Sequence, residues 1–184
     1  MKTITLVTGN PGKLAEWQLL LPAGLKIEIA NVDLNEIQSM DSEVIVADKA
    51  KRAYELLKSP VLVEDVSTGL DNLGGLPGPF MKYFEQRLGS EALHRLADNE
   101  GDPVTIVCTI GYYDGADMLF AHGTITGTVV APRGTHGFGF DPVVVPAGHT
   151  RTFAEMTTKE KNQISHRSLA IEDMISKLTR RLQD

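Results

Sequence analysis

Apolar and polar positions follow two different periods along the first third of the chain. Lys2–Val7 and Leu25–Val32 alternate and are rich in β-branched residues, which predicts two strands. Val61–Val63 is a continuous apolar run, as expected for a buried strand of an α/β sheet. Between these segments, apolar residues at helical spacing predict helices over Leu14–Leu21 and Glu43–Lys58. This order of elements is typical of an α/β fold.

The second half of the chain becomes β-rich and then helical again. Val104–Tyr113 and Met118–Ala131 are long, partly alternating segments joined by Asp114–Asp117, which predicts an antiparallel hairpin. We expect this hairpin to form a second lobe over approximately residues 103–131. Apolar residues at helical spacing after Ile164, up to Leu182, predict a final amphipathic helix that docks on the domain.

Length and composition limit the domain count and the class of protein. The chain has 184 residues, of which 42% are hydrophobic, and this suffices for a single domain over residues 1–184. No apolar stretch has the length of a membrane span and no signal-peptide pattern opens the chain, so we expect a cytoplasmic protein without membrane contact. The net charge of −6 disfavours a nucleic-acid-binding face. Cys108, the single cysteine, excludes an intrachain disulfide and is expected to be a buried structural thiol.

Two adjacent carboxylates follow the buried strand. Glu64 and Asp65 are expected at the C-terminal end of Val61–Val63, the edge where open α/β sheets bind ligands. Adjacent acids there indicate a metal site or a general base, and the alternative is a solvated strand end. The glycine- and proline-rich bend at Gly69–Pro79 favours a shaped site, and a helix is predicted over Pro79–Leu88.

A polar turn joins the first strand to the first helix. Asn10 is a good N-cap and Pro11 a good first helical residue, so the helix would direct its positive end at a ligand such as phosphate. The pattern is not a P-loop, because Leu14 follows Lys13 where Ser or Thr is needed. Lys13 itself opposes the helix dipole, which favours an anionic partner for its ammonium group.

Two charged residues lie in and beyond the second loop. Glu36 is a candidate third carboxylate, although most glutamates in such a loop are simply solvated. Lys49 either contacts phosphate or forms an ordinary surface pair on its helix.

The segment Ala131–Pro142 combines glycines with aromatic rings. Phe138 and Phe140, separated by Gly139, could stack on a base or could fill the core beneath a turn. Asp141 before Pro142 is in a position to initiate that turn.

The start of the last helix carries positive charge. Ser165 is a plausible N-cap, and it places His166 and Arg167 in the first turn, where the helix dipole disfavours cations. Together with Lys161, this arrangement favours an acidic or nucleotide ligand over a solvated first turn. Thr157 and Glu160 form a candidate capping box just before it.

Taken in order, these motifs resemble the inosine triphosphate pyrophosphatase family, which hydrolyses non-standard purine nucleoside triphosphates such as ITP, dITP and XTP. The likeness spans nearly the whole chain and rests on five segments: Thr8–Asn10 with Lys13, Val61–Asp65, Leu73–Pro79, Gly137–Pro142 and Glu160–Arg167. The resemblance implies an elongated α/β fold with a mixed central sheet flanked by helices, two lobes with an active-site cleft, and a homodimer. It also implies Mg²⁺-dependent release of pyrophosphate and a nucleoside monophosphate.

The resemblance assigns roles to individual residues. It implies a triphosphate cradle formed by Thr8, Gly9, Asn10 and Lys13, with Lys49 as a further phosphate contact and Lys13 also catalytic. Asp65 and Glu36 match acidic positions for magnesium and water activation, and Glu64 is a supporting metal candidate. Base and phosphate contacts are implied for Phe138, Gly139, Phe140, Asp141, Lys161, His166 and Arg167.

One position departs from the family pattern, and two other functions stay open. Many relatives have Ser-Gly where this chain has Val66-Ser67, so a contact made by that serine does not transfer to Val66. A non-catalytic purine nucleotide sensor, or a pyrophosphatase for a different nucleoside triphosphate, would use the same residues. Donors from His166 and Arg167 would favour the O6 carbonyl of hypoxanthine or xanthine over the amino group of adenine.

Overall fold

A computed structural model describes residues 3–21, 27–32 and 34–181. Lys2, Leu25, Lys26, Asp33 and Leu182, which the sequence places in strands, a loop and the last helix, lie outside these residues. The helices are α1 (Pro11–Leu20), α2 (Ser42–Leu57), α3 (Met81–Leu88), α4 (Ala92–Leu96), α5 (Thr158–Lys161) and α6 (His166–Arg181). The strands are β1 (Ile4–Val7), β2 (Ile27–Ala30), β3 (Val61–Leu70), β4 (Pro77–Gly78), β5 (Pro103–Tyr113), β6 (Met118–Val129) and β7 (Val144–Pro146). Short 3-10 turns occupy Asp71–Leu73, Asp141–Val143 and Phe153–Glu155.

Within the described residues the strands form one seven-stranded mixed sheet in the order β2-β1-β3-β5-β6-β7, with β4 paired to β3. β1 lies parallel to both β2 and β3, with Thr5 opposite Val61, whereas β6 and β7 are antiparallel. The connection Asp114–Asp117 between the neighbouring strands β5 and β6 is too short for a parallel crossover, so they form the predicted hairpin. The predicted α/β class with a mixed sheet flanked by helices is confirmed.

The chain divides into two compact units, each with its own apolar core. Unit 1 contains residues 1–65, 108–123 and 167–184, and unit 2 contains residues 66–107 and 124–166. The core of unit 1 includes Val7, Val46, Ala50, Ala53, Val61 and Val63. The core of unit 2 includes Leu70, Met81, Leu93, Ile106, Phe140 and Phe153. The prediction of a single domain with a second lobe over approximately residues 103–131 stays a prediction.

Strand β3 is longer than its apolar run indicates. It continues to Leu70, so the expectation that Glu64 and Asp65 end this strand is wrong. The physical reason is that backbone pairing with β4, with Thr68 opposite Gly78, sustains the extended conformation beyond the acids. The parallel neighbour β1 does end at Val7, which this register places opposite Val63. The two acids therefore lie just beyond the carboxyl end of β1.

Candidate active site

The turn before α1 has the geometry that the sequence predicts. The Asn10 side chain accepts hydrogen bonds from the backbone N–H groups of Gly12 (2.9 Å) and Lys13 (3.2 Å), and Pro11 is the first helical residue. The Asn10 N–H donates to Thr8 Oγ1 at 3.2 Å. Gly9 is needed for close packing, because a β-carbon there would lie 2.8 Å from Asn31 Oδ1. This cap holds the backbone of the predicted phosphate cradle in a defined turn.

Lys13 has an anionic partner within the protein. Its Nζ lies 3.1 Å from Glu64 Oε1, and its side chain is 20% exposed whereas that of Glu64 is 1% exposed. The unfavourable position of this lysine at the helix N-terminus is thus compensated by a buried carboxylate of β3. Lys13 retains enough exposure to contact a ligand.

Glu64 is the centre of a buried hydrogen-bonding network. Its Oε2 accepts from Trp17 Nε1 at 2.6 Å, and its Oε1 accepts from Arg167 Nη2 at 2.9 Å. Arg167 Nε lies 3.1 Å from both carboxylate oxygens. Burial alone would raise the pKa of Glu64, but the charges of Arg167 and Lys13 hold that pKa well below its ordinary value. Glu64 is therefore ionised throughout the physiological pH range.

Glu16 completes the network and was not identified from the sequence as a functional residue. Its carboxylate accepts a hydrogen bond from Arg167 Nη1, and both side chains are buried. Two cations, Lys13 and Arg167, thus balance two anions, Glu16 and Glu64. The signal in the sequence is spacing: Glu16 and Trp17 follow Lys13 by three and four residues, which places all three on one face of α1.

Asp65 differs from its neighbour Glu64 in lacking such partners. Its Oδ2 is buried and has no hydrogen-bond partner among the described residues. Burial raises the pKa of Asp65; the charges of Lys13 and Lys49 oppose this effect, and those of Glu36 and Glu64 reinforce it. A buried carboxylate oxygen without a partner is costly in a protein, and such groups with a perturbed pKa are concentrated in functional sites.

Glu36 and Lys49 form a second ion pair in unit 1. The Lys49 Nζ donates to Glu36 Oε1, and it also lies 3.3 Å from the backbone oxygen of Glu64. Lys49 is therefore not an ordinary surface lysine, since its ammonium group reaches the backbone beside Asp65.

A metal ion in unit 1 would have few protein ligands. The described residues contain no group of three or more His, Cys, Asp or Glu side chains arranged to hold a metal ion. Mg²⁺ usually takes one or two carboxylates and completes its octahedron with water and substrate phosphate. Asp65 Oδ2, which has no hydrogen-bond partner among the described residues, would be available to such an ion. Both oxygens of Glu64 already accept hydrogen bonds within the protein.

The segment Gly137–Pro142 in unit 2 is organised by Asp141. The buried carboxylate of Asp141 accepts a hydrogen bond from the Phe138 N–H at 2.8 Å and pairs with Lys161 Nζ at 2.6 Å. Lys161 is also buried, and it is the last residue of α5, which begins at the predicted capping box of Thr157 and Glu160. The interpretation of Asp141 as a turn-forming residue is confirmed, but its side chain also balances a buried cation.

The two phenylalanines of this segment have different environments. Phe140 is 8% exposed and belongs to the apolar core of unit 2, where its ring centroid lies 6.0 Å from that of His166. Phe138 is partly exposed, and Lys161 Nζ lies 4.8 Å from the centroid of its ring. Gly139 separates them with a positive φ of 59°. Phe138 therefore has the more accessible ring for stacking on a ligand.

Unit 1 thus brings together Lys13, Glu36, Lys49, Glu64, Asp65 and Arg167, and unit 2 brings together Phe138, Gly139, Phe140, Asp141, Lys161 and His166. Residues 4–177 match the model of the Ham1 family. The chain belongs to the Ham1 family. Cys108, by contrast, is fully buried, and burial raises the pKa of its thiol, which confirms the expected structural role.

Relatives and solved structures extend the Ham1 likeness over nearly the full length. An inosine triphosphate pyrophosphatase of Yarrowia lipolytica is 44% identical over 176 residues, covering 94% of this chain and 93% of the relative. One from Schizosaccharomyces pombe is 41% identical over 174 residues and covers 92% of each chain. The structure of a HAM1 protein from Coxiella burnetii superposes with a TM-score of 0.81 at 31% identity, over 98% of this chain and 100% of that one.

Gly137 offers a direct test of the Asp141 arrangement. Its φ is 76°, and a β-carbon there would lie only 2.0 Å from Asp141 Oδ2. We expect Gly137→Ala to destabilise the fold by about 1–3 kcal/mol and to displace the Asp141 carboxylate from Lys161. Urea unfolding measures the free energy of unfolding, and steady-state kinetics with the substrate proposed below measures KM.

Gly148→Ala is the matched control, since Gly148 has a similar φ of 80° but open space around its β-carbon position. It carries the backbone strain without the collision. Equal losses of stability and equal KM values in the two variants would show that Asp141 is not disturbed.

Proposed function

We propose that this Ham1 family member hydrolyses non-standard purine nucleoside triphosphates, namely ITP, dITP and XTP, to the nucleoside monophosphate and pyrophosphate. The observation that carries the proposal is the buried Oδ2 of Asp65, which has no hydrogen-bond partner in the described part of the chain and lies near the charges of Lys13 and Lys49. A base or metal ligand beside two cations suits attack on a polyphosphate. The names of the Yarrowia and Schizosaccharomyces relatives agree with this reaction.

The residues of unit 1 would bind and cleave the triphosphate. The capped turn Thr8–Asn10 supplies backbone and side-chain groups at the start of α1, and Lys13 and Lys49 supply positive charge. Asp65 would hold the attacking water and accept its proton while the anhydride bond between the α- and β-phosphates breaks and pyrophosphate leaves. Because this net −6 protein binds an anionic substrate, local cations must supply the attraction.

Mg²⁺ is the cofactor that these acids fit, with Asp65 and Glu36 as ligands and Glu64 as a supporting residue. When bound, the ion would neutralise charge on the phosphate oxygens. Glu64 supports the site by its contacts with Lys13 and Arg167.

The residues of unit 2 would recognise the purine base. Phe138 offers a partly exposed ring, Phe140 supports the same segment from the core, and Gly139 lets the backbone pass close by. Asp141, Lys161 and His166, followed in sequence by Arg167 of unit 1, would complete the polar contacts to base and phosphate. Donors facing O6 would favour hypoxanthine and xanthine over adenine.

The setting of the reaction is part of the same proposal. We place the enzyme in the cytoplasm as a homodimer, without nucleic-acid or membrane partners. No helix in the described part of the chain has the length and apolar character needed to cross a membrane.

A nucleotide panel tests the function. Release of pyrophosphate is measured with ITP, dITP, XTP, GTP and ATP in the presence of Mg²⁺ and again with excess EDTA. We expect turnover of ITP, dITP and XTP, little turnover of ATP, and loss of activity with EDTA. A non-catalytic sensor would bind ITP without releasing pyrophosphate, and a preference for another triphosphate would reassign the substrate.

The pH profile provides a second prediction. Asp65 must be ionised to accept a proton, so kcat/KM should fall as the pH decreases. Because burial raises the pKa of Asp65, the midpoint of this acid limb should lie above the ordinary aspartate pKa of about 3.9. Lys49→Met removes a charge that lowers the pKa of Asp65 and leaves Glu36 without this partner's charge. Both changes should move the limb to higher pH.

Lys51→Met is the matched control, because Lys51 lies on the same helix but is exposed to solvent. The acid limb should stay in place in this variant. An acid limb at the same pH in Lys49→Met and the unmodified protein would remove Asp65 from the role of proton acceptor.

A further inference from the structure

Trp17 is a buried residue to which the motifs assign no role. It is the only tryptophan in the chain, it is 1% exposed, and its indole N–H donates to Glu64 Oε2 at 2.6 Å. It follows Lys13 by one helical turn on α1, and both side chains contact the same carboxylate. Trp17 is therefore joined to the predicted phosphate cradle through Glu64.

Lys13 has the most exposed side chain of this network. Its side chain is 20% exposed, whereas those of Glu64, Arg167 and Glu16 are 1–4% exposed. To bind a phosphate oxygen, the ammonium group must weaken or share its contact with Glu64 Oε1. The cost of that step depends on how well Glu64 is satisfied by its other donors.

The indole N–H is a donor that satisfies Glu64 without adding charge. It is held rigidly by the buried ring and makes a short hydrogen bond to a carboxylate, the kind of bond that charge strengthens. If it were removed, Arg167 Nε, at 3.1 Å, would be the remaining donor to Oε2 among the described residues, and Glu64 would hold Lys13 more tightly. The ammonium group would then be less available to phosphate.

We propose that Trp17 is a positioning residue for triphosphate binding: its indole N–H satisfies Glu64 and so leaves Lys13 available to a phosphate group. The inference rests on the proposed function for its kinetic consequence, because it assumes that Lys13 contacts the substrate. The binding measurement below requires only that Lys13 contacts a triphosphate group, not that the protein hydrolyses ITP, because it uses inorganic triphosphate.

The test replaces one atom group. Since Trp17 is the only tryptophan, expression with 3-benzothienylalanine in place of tryptophan changes this position alone and exchanges the N–H for sulfur. Calorimetric titration with inorganic triphosphate in EDTA measures binding without turnover. We expect the Kd to rise about fivefold to tenfold, less than a directly lost hydrogen bond to a charged group would give, because the indole N–H acts on the ligand only through Glu64 and Lys13. The KM for ITP should rise by a similar factor, with a smaller change in kcat.

A double-variant cycle separates positioning from mere stability. In a Lys13→Ala background the same replacement should leave the Kd unchanged, because the residue through which Trp17 acts is gone. Met174→Leu, in the core of unit 1, is the control for a small change in packing and should leave the Kd unchanged. Thermal unfolding is followed for every protein.

Each outcome decides between the two proposals. A fall in Tm with an unchanged Kd for triphosphate would overturn the role of Trp17 and leave it a packing residue. A raised Kd that persists in the Lys13→Ala background would overturn the route through Lys13. Failure of the unmodified protein to hydrolyse ITP would refute the proposed function instead, and the binding cycle would still test Trp17.

Discussion

Asp65→Asn should reduce kcat for ITP by about 10²–10⁴-fold while the protein stays folded. The amide preserves the shape of the side chain but removes both the proton acceptor and the charge that a metal ion would need. Because burial raises the pKa of Asp65, its ionised form is unfavourable in the folded state at neutral pH. A neutral side chain relieves that cost, so the free energy of unfolding at pH 7 should not decrease.

Rapid-quench or steady-state assays at saturating ITP and Mg²⁺ measure kcat, and urea unfolding measures stability. Asp48→Asn is the control, since Asp48 pairs with Arg52 on the surface of α2. It should leave both quantities nearly unchanged. Near-normal kcat in Asp65→Asn would refute its role, and a large loss of stability would show that Asp65 is chiefly structural.

Of the proposed substitutions, Arg167→Met should cause the largest decrease in the free energy of unfolding. Methionine fills much of the same volume but leaves the buried carboxylates of Glu64 and Glu16 without the cation that contacts both. Removing one partner from a buried pair typically costs about 3–5 kcal/mol. Lys13 still faces Glu64, so the loss should fall within that range at pH 7.

The pH dependence of stability should also change sign. In the unmodified protein the pKa of Glu64 is held low against the effect of burial, so its stabilising contribution is lost as the pH falls below the ordinary value of about 4.5. Without Arg167, burial is no longer outweighed and the pKa of Glu64 should rise above that value. The folded variant then binds more protons than the unfolded chain, and its stability should increase between pH 7 and pH 5.

Urea unfolding at pH 7 and pH 5 measures this increase, whereas in the unmodified protein Glu64 should contribute no change in stability between these two pH values. Arg52→Met, which breaks an exposed pair with Asp48, is the control and should show neither the loss nor the change of sign.

The same Arg167 variant tests base recognition. If Arg167 contacts O6, kcat/KM for ITP should fall much more than for ATP, whereas equal losses would assign Arg167 to holding Glu64.

Several local features could be predicted because their causes lie within a few residues. The Asn10 cap, the Thr157 and Glu160 capping box, and the hairpin joined at Asp114–Asp117 depend on neighbouring backbone groups and on short-range alternation. The buried thiol of Cys108 followed from its place within an apolar strand. Such signals do not depend on where distant segments meet.

The roles of Trp17 and Glu16 could not be predicted in the same way. The sequence shows only that they share a helix face with Lys13, and a polar residue on such a face is usually solvated. Their burial depends on Glu64 and Arg167, which lie 47 and 151 positions away from Trp17 and Glu16, respectively. No local pattern specifies pairs at that separation.

By itself, the sequence determined the α/β class, the turn that begins α1, and the set of charged and aromatic residues from which the site is built. Only the tertiary structure decided how the adjacent acids differ. Contacts with Arg167, Lys13 and Trp17 stabilise the ionised carboxylate of Glu64. Asp65, the next residue of β3, retains a buried oxygen without a partner among the described residues. Successive residues of a strand point to opposite faces of the sheet, so two adjacent carboxylates have different surroundings once the sheet has formed.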